Sequence, residues 1–271
     1  MTQHPRYQHS LEELFLHVYV VVDDWLKENQ ARFALPIHRT QVASYSELLT
    51  IALVGEIVAQ PYESVWYWLV GESYRKLFPH LPEYSRYHRV LQNAEKLLAA
   101  LALAVLPSSA STFNIVDAKP LPLAKGKRSS WASCPEASKG FSTMGVVYGF
   151  KLHALVNEQG LVERWSFAPA HHHEASVAPE LIEGLMTPIL GDRAYLGHPK
   201  IITLKRKNMT EPGIWNQALA RLRKRIETTF SVLVGSLTLH AANLRTFRSL
   251  RTRVNLKIAA HNLIYSGCLN G

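Results

Sequence analysis

Three carboxylates stand out because each ends or interrupts a pattern that would hold it rigidly. Asp117 closes the apolar run Phe113-Asn114-Ile115-Val116, and Asp192 follows Pro188-Ile189-Leu190-Gly191. Glu227 sits beside the basic helical stretch Leu222-Arg223-Lys224-Arg225-Ile226 and is the only acid between Glu211 and Asn255. A strand that ends in Asp presents its carboxylate from a fixed element, which positions it better than a loop does. A solitary acid on a surface meant for phosphates is unfavourable unless a cation lies between them. Magnesium is usually held by one or two carboxylates with water and substrate phosphate, so three acids suffice for two ions. Two ions about 3.5–4 Å apart would clamp the attacking and leaving oxygens of a phosphodiester displacement. Each acid also has a plainer reading. Either Asp can be a turn residue or a helix N-cap, and Glu227 can pair with Arg223 at i−4 for about 0.2–0.5 kcal/mol.

The charge distribution favours a polyanionic partner. The net charge is +9, yet Lys200 to Lys257 holds 13 Lys and Arg against two acids, while the remainder has 17 basic and 19 acidic residues. All of the excess positive charge therefore lies in that block, whereas an ordinary solvated surface interleaves the two signs. Lys205-Arg206-Lys207 is suited to phosphates that position DNA without reading its sequence. Two cysteines, Cys134 and Cys268, are too few for a disulfide framework and lack metal-ligand spacing, as expected in a reducing cytosol. Met1 to Ser10 lacks the apolar core of a signal peptide. The longest apolar run, Leu97 to Leu106, has ten residues and is too short to span a bilayer. A cytoplasmic protein with no membrane partner is expected.

The elements that must position these acids follow from periodicity. Four helices are expected in the first hundred residues: Leu11 to Glu28, Glu47 to Ala59 capped by Ser46, Tyr62 to Phe78, and a fourth from Ser85 to Leu106. Proline and serine at 107–109 suggest a boundary, giving a helical domain over 1–110 and a second domain over 111–271. In the second, Phe113 to Asp117 reads as a strand and Lys119 to Gly140 as a loop rich in Pro, Gly and Ser. Val146 to Val156 and Leu161 to Phe167 alternate about the turn Asn157-Glu158-Gln159-Gly160, an antiparallel hairpin. Glu174 to Met186 reads as a helix, Ile189-Leu190 and Ile201 to Leu204 as short strands, Ile214 to Leu233 as a long helix, and Leu250 to Tyr265 as the last. The class is α/β, a mixed sheet flanked by helices and preceded by an all-helical domain.

Other groups are weaker candidates. Consecutive histidines His171-His172-His173 point to alternate faces in an extended chain and do not converge on zinc, although His173 could orient a phosphate or an Asp. Trp66-Tyr67-Trp68 reads as bundle core, with a stacking surface as the alternative. The segments Tyr62 to Phe78 and Tyr84 to Leu97, the latter with Arg86, His88 and Arg89, are candidates for a helix-turn-helix on DNA.

Taken together, Asn114-Ile115-Val116-Asp117, Ile189-Leu190-Gly191-Asp192-Arg193-Ala194-Tyr195-Leu196-Gly197 and Arg223-Lys224-Arg225-Ile226-Glu227-Thr228-Thr229-Phe230 resemble the three signature regions of DDE transposases of bacterial insertion sequences. Tyr148-Gly149-Phe150-Lys151-Leu152-His153 resembles that family's second strand, and Ala170-His171-His172-His173-Glu174 its short His-acidic segment. The resemblance implies an RNase H-like core with Asp117, Asp192 and Glu227 as catalytic residues and ligands of two Mg²⁺ or Mn²⁺ ions. It implies cleavage of double-stranded DNA at terminal inverted repeats, strand transfer into target DNA, a homodimer on paired ends, and a nucleoid-associated protein in a bacterial cytoplasm. Lys119, Arg193, Tyr195, Lys205, Arg206, Lys207, Arg223 and Lys224 are the residues then expected on DNA. A lysine often found seven residues after the Glu is replaced by Val234, with Arg245, Arg248 or Arg251 as substitutes. Two alternatives remain: a nuclease of the same fold without strand transfer, and a non-catalytic repressor derived from a transposase.

Overall fold

The computed structural model describes residues 10–33, 35, 42–125, 134–142, 145–203, 214–239 and 246–269. In chain order the elements are α1 (Leu11–Asn29), α2 (Tyr45–Ile57), α3 (Glu63–Ser73), α4 (Tyr84–Asn93), α5 (Glu95–Ala104), β1 (Asn114–Lys125), β2 (Ser138–Ser142), β3 (Gly145–Asn157), β4 (Val162–Pro169), α6 (Glu174–Ile182), β5 (Ile189–Gly191), β6 (Ile201–Thr203), α7 (Ile214–Ser231) and α8 (Phe247–Tyr265). They form two compact units. One contains α1 to α5, the segment beginning at Leu233 and α8 from Arg248; the other contains all six strands with α6 and α7.

In the helical unit, Ser44 rather than Ser46 caps α2. Its hydroxyl accepts from the Glu47 N–H at 3.1 Å while the Glu47 carboxylate accepts from the Ser44 N–H at 2.6 Å, a reciprocal capping box. Ser46 lies within the helix and donates to Asp23 at 2.6 Å. The single helix expected over 85–106 is broken at Ala94. The break exposes the start of α5 to α8: Asn255 Nδ2 donates to the Glu95 carbonyl at 3.1 Å and Arg251 pairs with the Glu95 carboxylate at 2.6 Å. Buried Glu56 accepts from Lys257 and pairs with Arg253 at 2.9 Å, and Arg253 also reaches Glu63 at 3.2 Å. These pairs correct the expectation that the whole basic block faces phosphates. Arg253 and Lys257 are neutralised inside the unit, because a buried cation persists only when paired. Trp66 and Tyr67 are core as expected, whereas Trp68 is 64% exposed.

The second unit is a six-stranded mixed sheet in the order β2-β3-β1-β5-β6, with β4 also on β3. The hairpin of β3 and β4 closes where Gly160 takes φ +86°, a left-handed conformation that favours glycine. β1 pairs antiparallel with β3 but parallel with β5, and β5 parallel with β6. The loop expected from Lys119 is instead the continuation of β1, which runs through Pro120 and Pro122 to Lys125, while β2 lies inside the same expected loop. The prolines are tolerated because β5 pairs with β1 only at Asn114 and Ile115. Their ring nitrogens, two residues apart, share an edge that has no partner strand there among the described residues. Gly149 answers them on β3, for a Cβ at that position would meet the Leu121 carbonyl oxygen at 2.2 Å.

Side chains alternate across the sheet. Val116, Leu155 and Ile189 pack with Ala178, Leu181 and Ile182 of α6 on one face. The opposite face of β1, carrying Ile115, Asp117 and Lys119, belongs to α7, whose apolar side places Ile226, Thr229 and Phe230 in the core. Helices thus cover both faces of a mixed sheet, the expected class. No described helix is long and apolar enough to cross a membrane.

Candidate metal centre

Register brings the two aspartates together. Ile115 of β1 pairs with Leu190 of β5, so Asp117 and Asp192, each two residues further along, occupy the next same-face positions of adjacent parallel strands. Gly191 permits this ending of β5, since a Cβ there would meet Ile201 Cγ2 at 2.6 Å and the Tyr195 ring at 3.0 Å. The outer end of an open sheet's parallel strands is where such folds bind ligands. Asp192 is also an N-cap, as its plainer reading held: Oδ1 accepts from the Ala194 N–H at 2.8 Å. Asp117 Oδ1 accepts from the Ala118 N–H at 2.8 Å. Each aspartate is thereby fixed through one oxygen, and the second oxygen of Asp117 lies 3.6 Å from Arg223 Nη2.

The acid that meets both of them is Glu174, in the first turn of α6. One carboxylate oxygen from each of Asp117, Glu174 and Asp192 lies within 4.8 Å of the other two. Oxygens bound to one magnesium at about 2.0–2.1 Å sit roughly 2.9 Å apart when adjacent and roughly 4.2 Å apart when opposite. A small side-chain contraction brings the three to that spacing, and the donor set suits a hard divalent cation. Lys151 Nζ lies 3.4 Å from Glu174 Oε1 and donates to the His172 carbonyl at 3.0 Å, tying β3 to the start of α6. Sequence reasoning missed Glu174 as a ligand. An acid in a helix's first turn already has a local explanation in the helix dipole, and only its place at the end of Ala170-His171-His172-His173-Glu174 hinted at more.

The electrostatics of the cluster are those of crowded, half-buried acids. Burial pushes the Asp117 carboxyl up to about 6; the Ala118 N–H and Arg223 restrain that rise and the charge of Asp192 adds to it. Burial also raises Glu174, against the pull of Lys151 and with the push of Asp192. Tyr195 is fully buried, and its hydroxyl has no hydrogen-bond partner although Glu174, Asp117 and Asp192 all act on it electrostatically. Burial first, then those three charges, drives its phenol far above the ordinary range. A buried polar atom without a partner is costly. All three acids act on this one electrostatically, and their three oxygens lie close enough together for the residues present to fit a divalent ion.

Glu227 stands apart from these three. It is 57% exposed, and Arg223 intervenes: Nη2 lies 3.6 Å from Asp117 Oδ2 and 3.8 Å from Glu227 Oε1. The two carboxylate oxygens are therefore no farther apart than the sum of those lengths, with a guanidinium between them. The helical i−4 pairing proposed as the plainer reading of Glu227 is present in the same contact. Arg223 Nε is buried without a partner. α7 is fixed two residues beyond Glu227, where the Thr229 hydroxyl donates to the Gly160 carbonyl at 2.8 Å.

The remaining expected residues divide by exposure. Lys119 is half-buried on the Asp117 face of β1; Arg193 and Lys224 are exposed. Tyr195, expected on DNA, is instead buried beneath the acids, because the short turn after Asp192 folds its ring into the core beside Val116 and Ile201. His173 is exposed and precedes α6 without a side-chain cap bond. Lys205, Arg206, Lys207 and Arg245 lie outside the described residues. Of the substitutes for the missing lysine, Arg251 is paired with Glu95, and Arg248 donates to Asn93 Oδ1 at 2.7 Å and to the Gln92 carbonyl at 3.2 Å.

The family model for the transposase DDE domain matches residues 108–263, more than half of the chain, and the chain belongs to that family. The RNase H-like reading of its mixed sheet stands with that membership. The family carries with it DNA as substrate and dependence on a divalent metal. Comparison with curated proteins and with solved structures gives no significant match.

Proposed function

We propose that this protein is an insertion-sequence transposase that cuts double-stranded DNA at terminal inverted repeats and transfers the freed 3′ end into target DNA. The observation that carries the reading is the convergence of Asp117 and Asp192 just beyond the parallel pairing of β1 with β5, beside a helix that brings Arg223 within reach of Asp117 and Glu227. Asp117 and Asp192 would hold the ion common to both chemical steps, and Glu227 would hold a second. Divalent ions there supply Lewis-acid stabilisation of the attacking and leaving oxygens. The protein supplies position and charge. Arg223, with a buried Nε still to be satisfied, receives a phosphate oxygen, and Lys119 and Lys224 extend that cationic track along the backbone. The Ala118 and Ala194 amides hold the aspartates in one rotamer, so little reorganisation is left for the reaction itself. A homodimer would place one such centre on each element end.

The test uses DNA carrying the sequences that flank the coding region, incubated with full-length protein and Mg²⁺ or Mn²⁺. Nicked ends followed by joined products support transposition, and cleavage without joining supports the nuclease of the same fold. Glu227→Gln should bind this DNA as the wild type does yet produce neither product. Undiminished cleavage by Asp192→Asn, or cleavage in chelator, would sink the reading.

A further inference from the structure

We infer that the centre loads its cations in a fixed order: Asp117, Glu174 and Asp192 take one divalent ion in the DNA-free protein, and Arg223 keeps Glu227 from a second until a phosphate draws the guanidinium away. The inference rests on the reading of this site as a metal-dependent DNA-transfer centre, and it adds Glu174 as a metal ligand and Arg223 as the gate.

Three observations carry it. The three acids that share one small volume include Glu174 and not Glu227. A fully buried tyrosine hydroxyl without a partner lies within the electrostatic reach of those same acids, and a buried polar atom left unpaired calls for a polar or charged species nearby. And Arg223 stands between Glu227 and Asp117, a single nitrogen reaching one oxygen of each carboxylate. A guanidinium and a divalent ion compete for that position, for each neutralises the same pair of carboxylates. The arginine also carries what is needed to leave, because its buried Nε lacks an acceptor and a phosphate would offer two oxygens to the planar fork. Arrival of DNA then does two things at once. It gives Arg223 a better anion, and it frees Asp117 and Glu227 for the second ion that the chemistry needs. Chemistry before DNA is bound is prevented by the same contact.

Mn²⁺ alone is the probe, read by electron paramagnetic resonance and titration calorimetry on the full chain. The wild type without DNA should bind one Mn²⁺, and a short duplex from the element end should raise this to two. Glu174→Gln should weaken the DNA-free ion at least tenfold, while Glu227→Gln should change it less than twofold. Lys151→Met separates a ligand from a structural ion pair: it removes the partner of Glu174 but leaves the carboxylate, so Mn²⁺ affinity should hold or rise. Arg223→Gln should let the DNA-free chain take two ions. Equal losses in Glu174→Gln and Glu227→Gln, unchanged binding in Glu174→Gln, a loss in Lys151→Met as large as in Glu174→Gln, or two ions in the wild type without DNA would each overturn the inference. These readouts need no turnover. A protein that binds Mn²⁺ in this order but never cuts DNA would refute the transposase reading alone.

Discussion

Asp117→Asn should make the metal-free protein more stable at pH 8 and leave it nearly unchanged at pH 4. Burial and the neighbouring Asp192 raise this carboxyl from an ordinary 3.8 to about 6, against Ala118 and Arg223. A raised carboxylate binds its proton more tightly in the folded chain than in the unfolded one, so stability falls as pH rises from about 4 to about 6. Above that window the penalty is complete. At 1.36 kcal/mol per pKa unit, the gap between 3.8 and about 6 amounts to about 3 kcal/mol. The side chain is only 17% exposed, so solvent screening takes a minor share of that ceiling. Asparagine keeps the oxygen that accepts from the Ala118 N–H; the exchange also gives up the ion pair with Arg223, whose pull is already set against the raised pKa.

Urea unfolding at pH 4, 6 and 8 in chelator measures the effect as a difference that grows with pH toward about 3 kcal/mol. Mg²⁺ should largely cancel the difference. At a hundredfold excess over its Kd a ligand of the folded state adds about 2.7 kcal/mol, and the wild type should gain this while Asp117→Asn gains much less. Destabilisation by Asp117→Asn of the same size at every pH, or equal Mg²⁺ stabilisation of both proteins, would refute the account of the cluster as strained acids awaiting a cation.

Other perturbations test how the site is held. Gly191→Ala forces a methyl into Ile201 and the Tyr195 ring; it should cost about 1–3 kcal/mol by overpacking and weaken Mg²⁺ binding as Asp192 shifts, both read from melting curves with and without metal. Thr229→Val removes the bond that pins α7 to the Gly160 carbonyl, at a cost of about 0.5–1.5 kcal/mol, and it should lower cleavage more than DNA affinity. Lys257→Met strips one cation from buried Glu56 and should cost about 3–5 kcal/mol in urea unfolding; Glu56→Gln in the same chain should recover part of the loss. DNA affinity should fall steeply with salt, by a slope near −0.9 per phosphate contacted, and Lys224→Gln should reduce that slope by about one. A slope near zero would contradict phosphate contact by the basic face.

What the sequence revealed and what it concealed divide along one physical line. Asp117 and Asp192 were legible because a strand's period fixes which face each side chain takes, and two apolar runs that each lead into an Asp need only pair in parallel to bring the acids together. The hairpin was legible for the same reason, from alternation and a turn that glycine favours. The continuation of β1 through Pro120 and Pro122 was not, because proline argues against a strand unless its nitrogen faces an unpaired edge, and which edge is unpaired depends on the length of a different strand. The basic block misled in a related way. Arg253 and Lys257 read as surface charge because their partners, Glu56 and Glu63, lie some two hundred residues earlier in the chain. Glu174 and Arg223 show the limit most plainly. Each has a complete local explanation, one in a helix dipole and the other in an i,i+4 pair, and nothing in either segment indicates that a second partner waits across the sheet. A residue satisfied by its neighbours in sequence can still be decisive where the fold brings it to a distant charge, and in this centre the arginine's two carboxylates, one local and one remote, are what could turn a helical ion pair into a gate.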